Sequence, residues 1–262
     1  AERRVMRSPA FIVTQHEARR LPGLVLFLVV GLYLLPGLLG RDPWGRADAE
    51  GFGIALTMAR GGVADWLAPN VFGLPIIEEG PLPAWLGAAL ILLVGPLIGE
   101  PNAARLASGF IAASGLLWVW LATGRLAGRP EIQPADPFEV SAPARDIGRA
   151  VADAALLVCV ATCGLIARIH ENSSIAFQFA WFAAFAWGAA TAIDRPLRGG
   201  LIAGAAIAAS MLTRGLPTAV SLLAVLLLLP VAAPRYRLVR RPMLTAAVLA
   251  LAALAVPWPL AL

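Results

Sequence analysis

Seven stretches of this chain carry no charged side chain at all: residues 21–40, 82–99, 106–124, 174–193, 199–213, 216–233 and 243–262. An eighth, 150–167, is interrupted only by Asp153 near one end. A helix crosses the roughly 30 Å hydrocarbon layer in about 20 residues, and most of these runs reach that length. Lipid offers no partner for a free amide, so each run must satisfy its own backbone and is predicted to be helical. With 59% of 262 residues hydrophobic and 14% charged, the surplus of apolar side chains exceeds what one water-soluble core requires. The expected class is therefore an all-α, polytopic membrane helix bundle. The first run is too long for a cleaved leader and further spans follow it, so it reads as a retained anchor.

The arginines set the expected orientation. All 21 basic residues are arginine, a compositional bias without mechanistic content. If 82–99 does not cross, fifteen arginines fall on the side of the N-terminus, among them Arg3, Arg4, Arg7, Arg19 and Arg20, against six (Arg41, Arg46, Arg60, Arg105, Arg168 and Arg214) on the other. If it crosses, the count becomes eight against thirteen, contrary to the positive-inside rule. The expectation is a cytoplasmic N-terminus and an outer segment spanning 41–105, in which 82–99 lies against the bilayer as a juxtamembrane or re-entrant helix; Pro83 and Pro96 suit an irregular path. The loop 125–149, with Pro130, Pro134, Pro137 and Pro143, reads as a connector without a site. Chemistry is expected on the outer face: in 41–105 and in the turns around Glu171 and Arg214.

The outer segment opens Arg41-Asp42-Pro43-Trp44-Gly45-Arg46-Ala47-Asp48-Ala49-Glu50. It runs through an amphipathic stretch (Phe52, Leu56, Arg60) to Asp65-Trp66-Leu67-Ala68-Pro69 and Glu78-Glu79-Gly80-Pro81-Leu82. Read alone, it is a solvated acidic loop with tryptophan anchors. Farther on come Ala104-Arg105-Leu106, Arg168-Ile169-His170-Glu171, Leu212-Thr213-Arg214-Gly215 and Pro257-Trp258.

This ordered set resembles the N-terminal half of lipid-linked-sugar glycosyltransferases of the GT-C class, which includes bacterial aminoarabinose transferases and protein O-mannosyltransferases. The family's first outer loop reads Trp, an Asp-Glu doublet, an aromatic, a Met, Asp-Trp-hydrophobic-x-Pro and Glu-Lys-Pro-Pro-Leu. Trp44, Asp48, Phe52, Met58, Asp65, Trp66, Pro69, Glu78, Pro81, Leu82 and Trp85 match it and the juxtamembrane helix that follows. The departures are Ala47 at the first acid of the doublet, Glu79 at the Lys, Glu171 for a usual Asp and Arg214 for a usual Lys.

The resemblance implies a membrane transferase taking a sugar from a polyprenyl phosphate to lipid A, another glycolipid or protein. It would work at the outer face of a bacterial inner membrane, and this chain would be the N-terminal part of a longer protein. A carboxylate would take the acceptor proton or stabilise oxocarbenium-like charge, and a guanidinium would neutralise the departing phosphate. Asp48 is the first choice for the carboxylate, with Glu50 recruited if the backbone shifts, and Arg214 is the choice for the phosphate. Glu171 would position Asp48, the acceptor or, if the reaction uses one, a divalent metal cofactor. Glu78, His170 and Arg168 would contact substrate. No nucleic-acid partner is expected.

Blander roles compete at several positions: Arg214 as a snorkelling helix-end anchor, His170 as an interface residue, and Cys159 and Cys163 as packing one helical turn apart. Gly200 and Gly204 form a small-residue face for close helix contact, and Trp118 and Trp120 an aromatic belt. Two other functions remain open: a non-catalytic lipid-binding or scaffold subunit lacking the acid at position 47, and, less favoured, a transporter, since charge is nearly absent from the span interiors.

Overall fold

The computed structural model describes Ala18 and residues 21–133 and 142–262. The N-terminal arginines 3, 4, 7, 19 and 20, with Pro134 and Pro137, lie outside the described residues. The described residues are all-α apart from one small hairpin. Its helices are α1 (Gly23–Leu34), α2 (Arg46–Arg60), α3 (Val63–Leu67), α4 (Pro81–Ile98), α5 (Glu100–Ala127), α6 (Ala144–Ala161), α7 (Cys163–Ile169), α8 (Ser174–Ala192), α9 (Pro196–Arg214), α10 (Leu216–Ala232), α11 (Pro234–Ala255) and α12 (Pro257–Ala261). The hairpin pairs β1 (Asn70–Val71) with β2 (Leu74–Pro75).

Among the described residues, five helices are long and apolar enough to cross a membrane: α4, α5, α8, α9 and the continuous α11–α12. Their outward faces carry exposed leucines, as expected of a multi-pass membrane protein: Leu93 and Leu97 of α4, Leu201 of α9 and Leu249 of α11 are all exposed. Three boundaries differ from the runs in the sequence. The helix in 21–40 stops at Leu34, because Pro36 and the positive φ of Gly37 and Gly40 turn the chain. The run 150–167 breaks at Thr162, between Cys159 and Cys163. α11 begins before the last run, so Arg235, Arg237, Arg240 and Arg241 occupy its first turns.

The bundle is built on α5, α8, α9 and α11. α5 and α8 run parallel: Gly115 lies against Phe179 and Ala180, Trp118 stacks with Trp181, and Arg125 and Arg129 hold Asp194 at 3.0 and 2.7 Å. α9 returns antiparallel to α8, with Gly188 beside Ala203 and Gln178 bonded to Ser210. Gly200 and Gly204 face Met243 and Ala247 of α11 so closely that a Cβ would strike backbone, the close helix contact their spacing implied.

One end of the bundle is rich in arginine. Besides the Asp194 pair, Arg235 faces Glu131 at 3.6 Å, and Asp153 is buried but fully engaged by Trp120, Arg149 and the Leu21 amide. The opposite end gathers the C-terminal turns of α1 and α9 and the first turns of α5 and α8. Both termini of α4 meet that opposite end: the Gly80 amide donates to Thr213 O at 2.9 Å, and Glu100, directly after α4, pairs with Arg60 of α2. Between them α4 packs Ala84 and Ala88 on Ile54 and Met58 of α2. Trp85 donates to Trp66 O and Trp258 to Leu67 O, fastening the 61–80 segment to the same end.

Candidate functional site

Arg105 is wholly buried in the second turn of α5, and everything around it follows from that charge. Its Nη1 donates to Arg41 O at 3.0 Å and Leu38 O at 3.3 Å, and its Nη2 to Asp48 Oδ2 at 3.4 Å. Removing an arginine from water is costly unless a partner and hydrogen bonds compensate, and Asp48 in the first turn of α2 supplies the counter-charge. That turn also suits a carboxylate, since amide dipoles there point toward it. The other Asp48 oxygen, Oδ1, accepts the Asn172 amide at 2.7 Å and Asn172 Nδ2 at 2.8 Å, while Arg41 stands 3.7 Å from the same Oδ2 that faces Arg105. Asp48 is 0% exposed. The cluster thus ties α1's exit, α2, α5 and the turn before α8 into one corner.

Against this corner lies a cavity of about 550 Å³, walled by the first turns of α2, the segment 78–80, the starts of α4 and α5, and residues 168–177. Glu50, Glu78, Glu79 and Glu171 line it, together with Arg46 and Arg168. Asp48 does not line it, whereas its neighbour Ala47 does. The reason is helical rotation: Asp48 points inward to Arg105, so positions 47 and 50 turn toward the cavity.

The residues singled out in the sequence divide accordingly. Glu50, Glu78, Arg168 and Glu171 share the cavity. Glu171 is nearly buried and accepts Arg168 Nη1 at 3.3 Å; Glu50 is half-exposed, 3.8 Å from Arg46. His170 points away, its Nδ1 2.7 Å from Ile166 O and its Nε2 3.0 Å from Leu34 O, and so fastens the turn to the end of α1. Arg214 is exposed at the end of α9, outside the cavity lining, but close enough for its charge to act on Glu79. Gly215, at φ +76°, supplies the left-handed turn that starts α10 directly after it.

The structure adds Glu79, Ser174, Asn172 and Arg105. Ser174 Oγ donates to Glu79 Oε1 at 2.9 Å. Burial pushes the Glu79 carboxyl above the usual glutamate range, against the Ser174 hydrogen bond and Arg214, and Glu50 and Glu78 push the same way as burial. The polar run Asn172-Ser173-Ser174 before an apolar span was the available signal for Ser174 and Asn172. Arg105 was visible only as the opening of a span. Among the described residues no group of three or more His, Cys, Asp or Glu is arranged to hold a metal ion.

No family model matches the chain, and no curated protein does. Solved structures do. The crystal structure of ArnT from Cupriavidus metallidurans bound to undecaprenyl phosphate superposes over 91% of this chain with a TM-score of 0.72 at 19% identity. The chain has an ArnT-like fold. The apo structure of the same ArnT gives a TM-score of 0.63 at 22% identity. The chain spans about two fifths of those structures, 40% and 41% of their length. The ArnT-like fold agrees with the GT-C N-terminal half implied by the order of the motifs.

Proposed function

We propose that this chain is part of a membrane glycosyltransferase that moves a sugar from a polyprenyl phosphate to a lipid or protein acceptor at the outer face of a bacterial inner membrane. The observation that carries the reading is the cavity: carboxylates and guanidinium groups share one enclosure in an ArnT-like fold, and the superposed ArnT binds undecaprenyl phosphate. Transfer needs both groups, a carboxylate for the acceptor and cations for the leaving phosphate. Arg168 and Arg214 are the phosphate contacts in this reading; Glu50, Glu171 and Glu78 face the sugar and acceptor. Asp48 acts as a positioning residue that holds α2 on Arg105, and His170 holds the turn bearing Glu171. The test is release of undecaprenyl phosphate from undecaprenyl-phosphate-linked sugars by the full-length protein with a membrane lipid extract as acceptor.

A second reading, a non-catalytic lipid-binding or scaffold subunit, draws on Ala47, which puts a methyl group where the family's first acid would meet the cavity. Such a protein would bind undecaprenyl phosphate but release none from a loaded carrier.

Arg214→Ala should weaken undecaprenyl phosphate binding roughly ten- to a hundredfold, the range of one charged hydrogen bond, and Arg214→Lys less. Unchanged affinity would reduce Arg214 to a helix-end anchor.

The same reading lays α4 along the outer surface, which the meeting of both its termini with one end of the bundle supports. Cysteines at Ile77 and Glu100, in a background lacking Cys159 and Cys163, should both react with an impermeant thiol reagent added from outside. Labelling of position 100 from the cytoplasmic side alone would make α4 a span.

A further inference from the structure

Four carboxylates line the cavity, and their surroundings differ. Glu78 is exposed to solvent, Glu50 has an oxygen turned to Arg46, and Glu171 has one engaged by Arg168. Glu79 is different. Its Oε1 accepts the hydroxyl of Ser174, which is 3% exposed in the first turn of α8, and its Oε2 makes no hydrogen bond among the described residues. Its backbone is fixed as well, because the next amide, Gly80, donates to Thr213 O, and a Cβ at Gly80 would strike the Leu212 carbonyl. The carboxyl is therefore oriented by two elements while one oxygen is left for a ligand. The first turn of α2 meanwhile offers Ala47 rather than an acid to the same cavity.

We propose that Glu79 is the general base of the transfer, accepting the acceptor's proton. This rests on the transferase reading. In the step, the acceptor oxygen forms a bond to the anomeric carbon and its proton passes to Glu79. The bond from anomeric carbon to phosphate oxygen breaks with its electron pair, leaving polyprenyl phosphate, and Glu79 then returns the proton to water. Ser174 orients the carboxylate and Arg214 offsets its charge, so neither removes the free oxygen. The upward shift from burial makes Glu79 a stronger base than an ordinary glutamate and brings it closer to neutral pH, where a general base is most effective. Because the base works deprotonated, turnover should fall as pH drops through that raised value, giving an acid limb above the range of an exposed glutamate.

The experiment measures undecaprenyl phosphate released from undecaprenyl-phosphate-linked hexose and pentose by the full-length protein in lipid nanodiscs, with a membrane lipid extract as acceptor, across pH. Glu79→Gln should lower kcat by roughly two to four orders of magnitude, leave the donor KM within a few-fold, and abolish the acid limb. Glu79→Asp should retain more turnover and the limb. Ser174→Ala, which removes a bond that lowers the Glu79 value, should move the limb to higher pH. If active wild-type protein is matched by Glu79→Gln in rate and in limb, Glu79 is not the base. Should Glu79→Gln fail to assemble, the limb decides: one that does not move in Ser174→Ala overturns the proposal. A folded wild type that binds undecaprenyl phosphate yet releases none overturns the transferase reading, and the role of Glu79 with it.

Discussion

Asp48→Asn should cost the folded protein about 3–5 kcal/mol, the range for removing one partner of a buried ion pair. The substitution is nearly isosteric, and the amide oxygen can still accept from Asn172. What disappears is the charge facing Arg105, whose side chain is 0% exposed and cannot turn to water. Arg41 makes matters worse, because without Asp48 two guanidinium groups confront each other across the corner; Arg41, 28% exposed, can swing outward, but Arg105 cannot. Thermal unfolding in detergent checks the size of the loss, and the double variant Asp48→Asn with Arg105→Met should recover part of it, since neither charge is then stranded. The measurement also separates two roles. A variant that keeps wild-type stability but loses turnover would give Asp48 a direct part in the chemistry; loss of both together is the signature of positioning.

Gly51→Ala should be the most damaging of the glycine-to-alanine changes. A Cβ there would overlap the Asn172 carbonyl oxygen, and that is backbone, which no rotamer change can move. Asn172 is further pinned by the two bonds it gives Asp48. α2 must therefore lift off the 168–173 turn, breaking the Asp48 contacts and widening the cavity between Glu50 and Glu171. Overpacking costs about 1–3 kcal/mol and more where backbone must shift, against a helix-propensity gain for alanine of at most about 1 kcal/mol. Gly31→Ala in α1 is the control: nothing lies within 4 Å of its Cβ, so the propensity gain should stand alone. Equal thermal midpoints for the two variants would mean that α2 does not rest on the turn as described.

Much of this architecture was legible in the chain because lipid simplifies the rules. Uncharged runs of nearly fixed length can only be helices, and the helices α5, α8, α9 and α10 fall where those runs do. The helix contact of Gly200 and Gly204 followed from their spacing, and the fold implied by the ordered motifs agrees with the one that superposes on ArnT. Boundaries were less legible wherever a polar group found a partner: the arginine-rich start of α11 extends beyond its apolar run, and Thr162 turns back to Val158 O where the run 150–167 breaks.

Composition and order determined the membrane bundle, the family of folds and the segments that would meet at a site, because these depend on solvent and periodicity along one chain. Which carboxylate faces the cavity was decided only in three dimensions. Asp48, Glu50, Glu79 and Glu171 are alike as letters, but the buried charge of Arg105, nearly 60 residues from Asp48, turns that acid inward. Ser174, 95 positions from Glu79, holds the other where it lines the cavity. Long-range pairing of buried charge is set by what packs around it, and a single sequence carries no record of that.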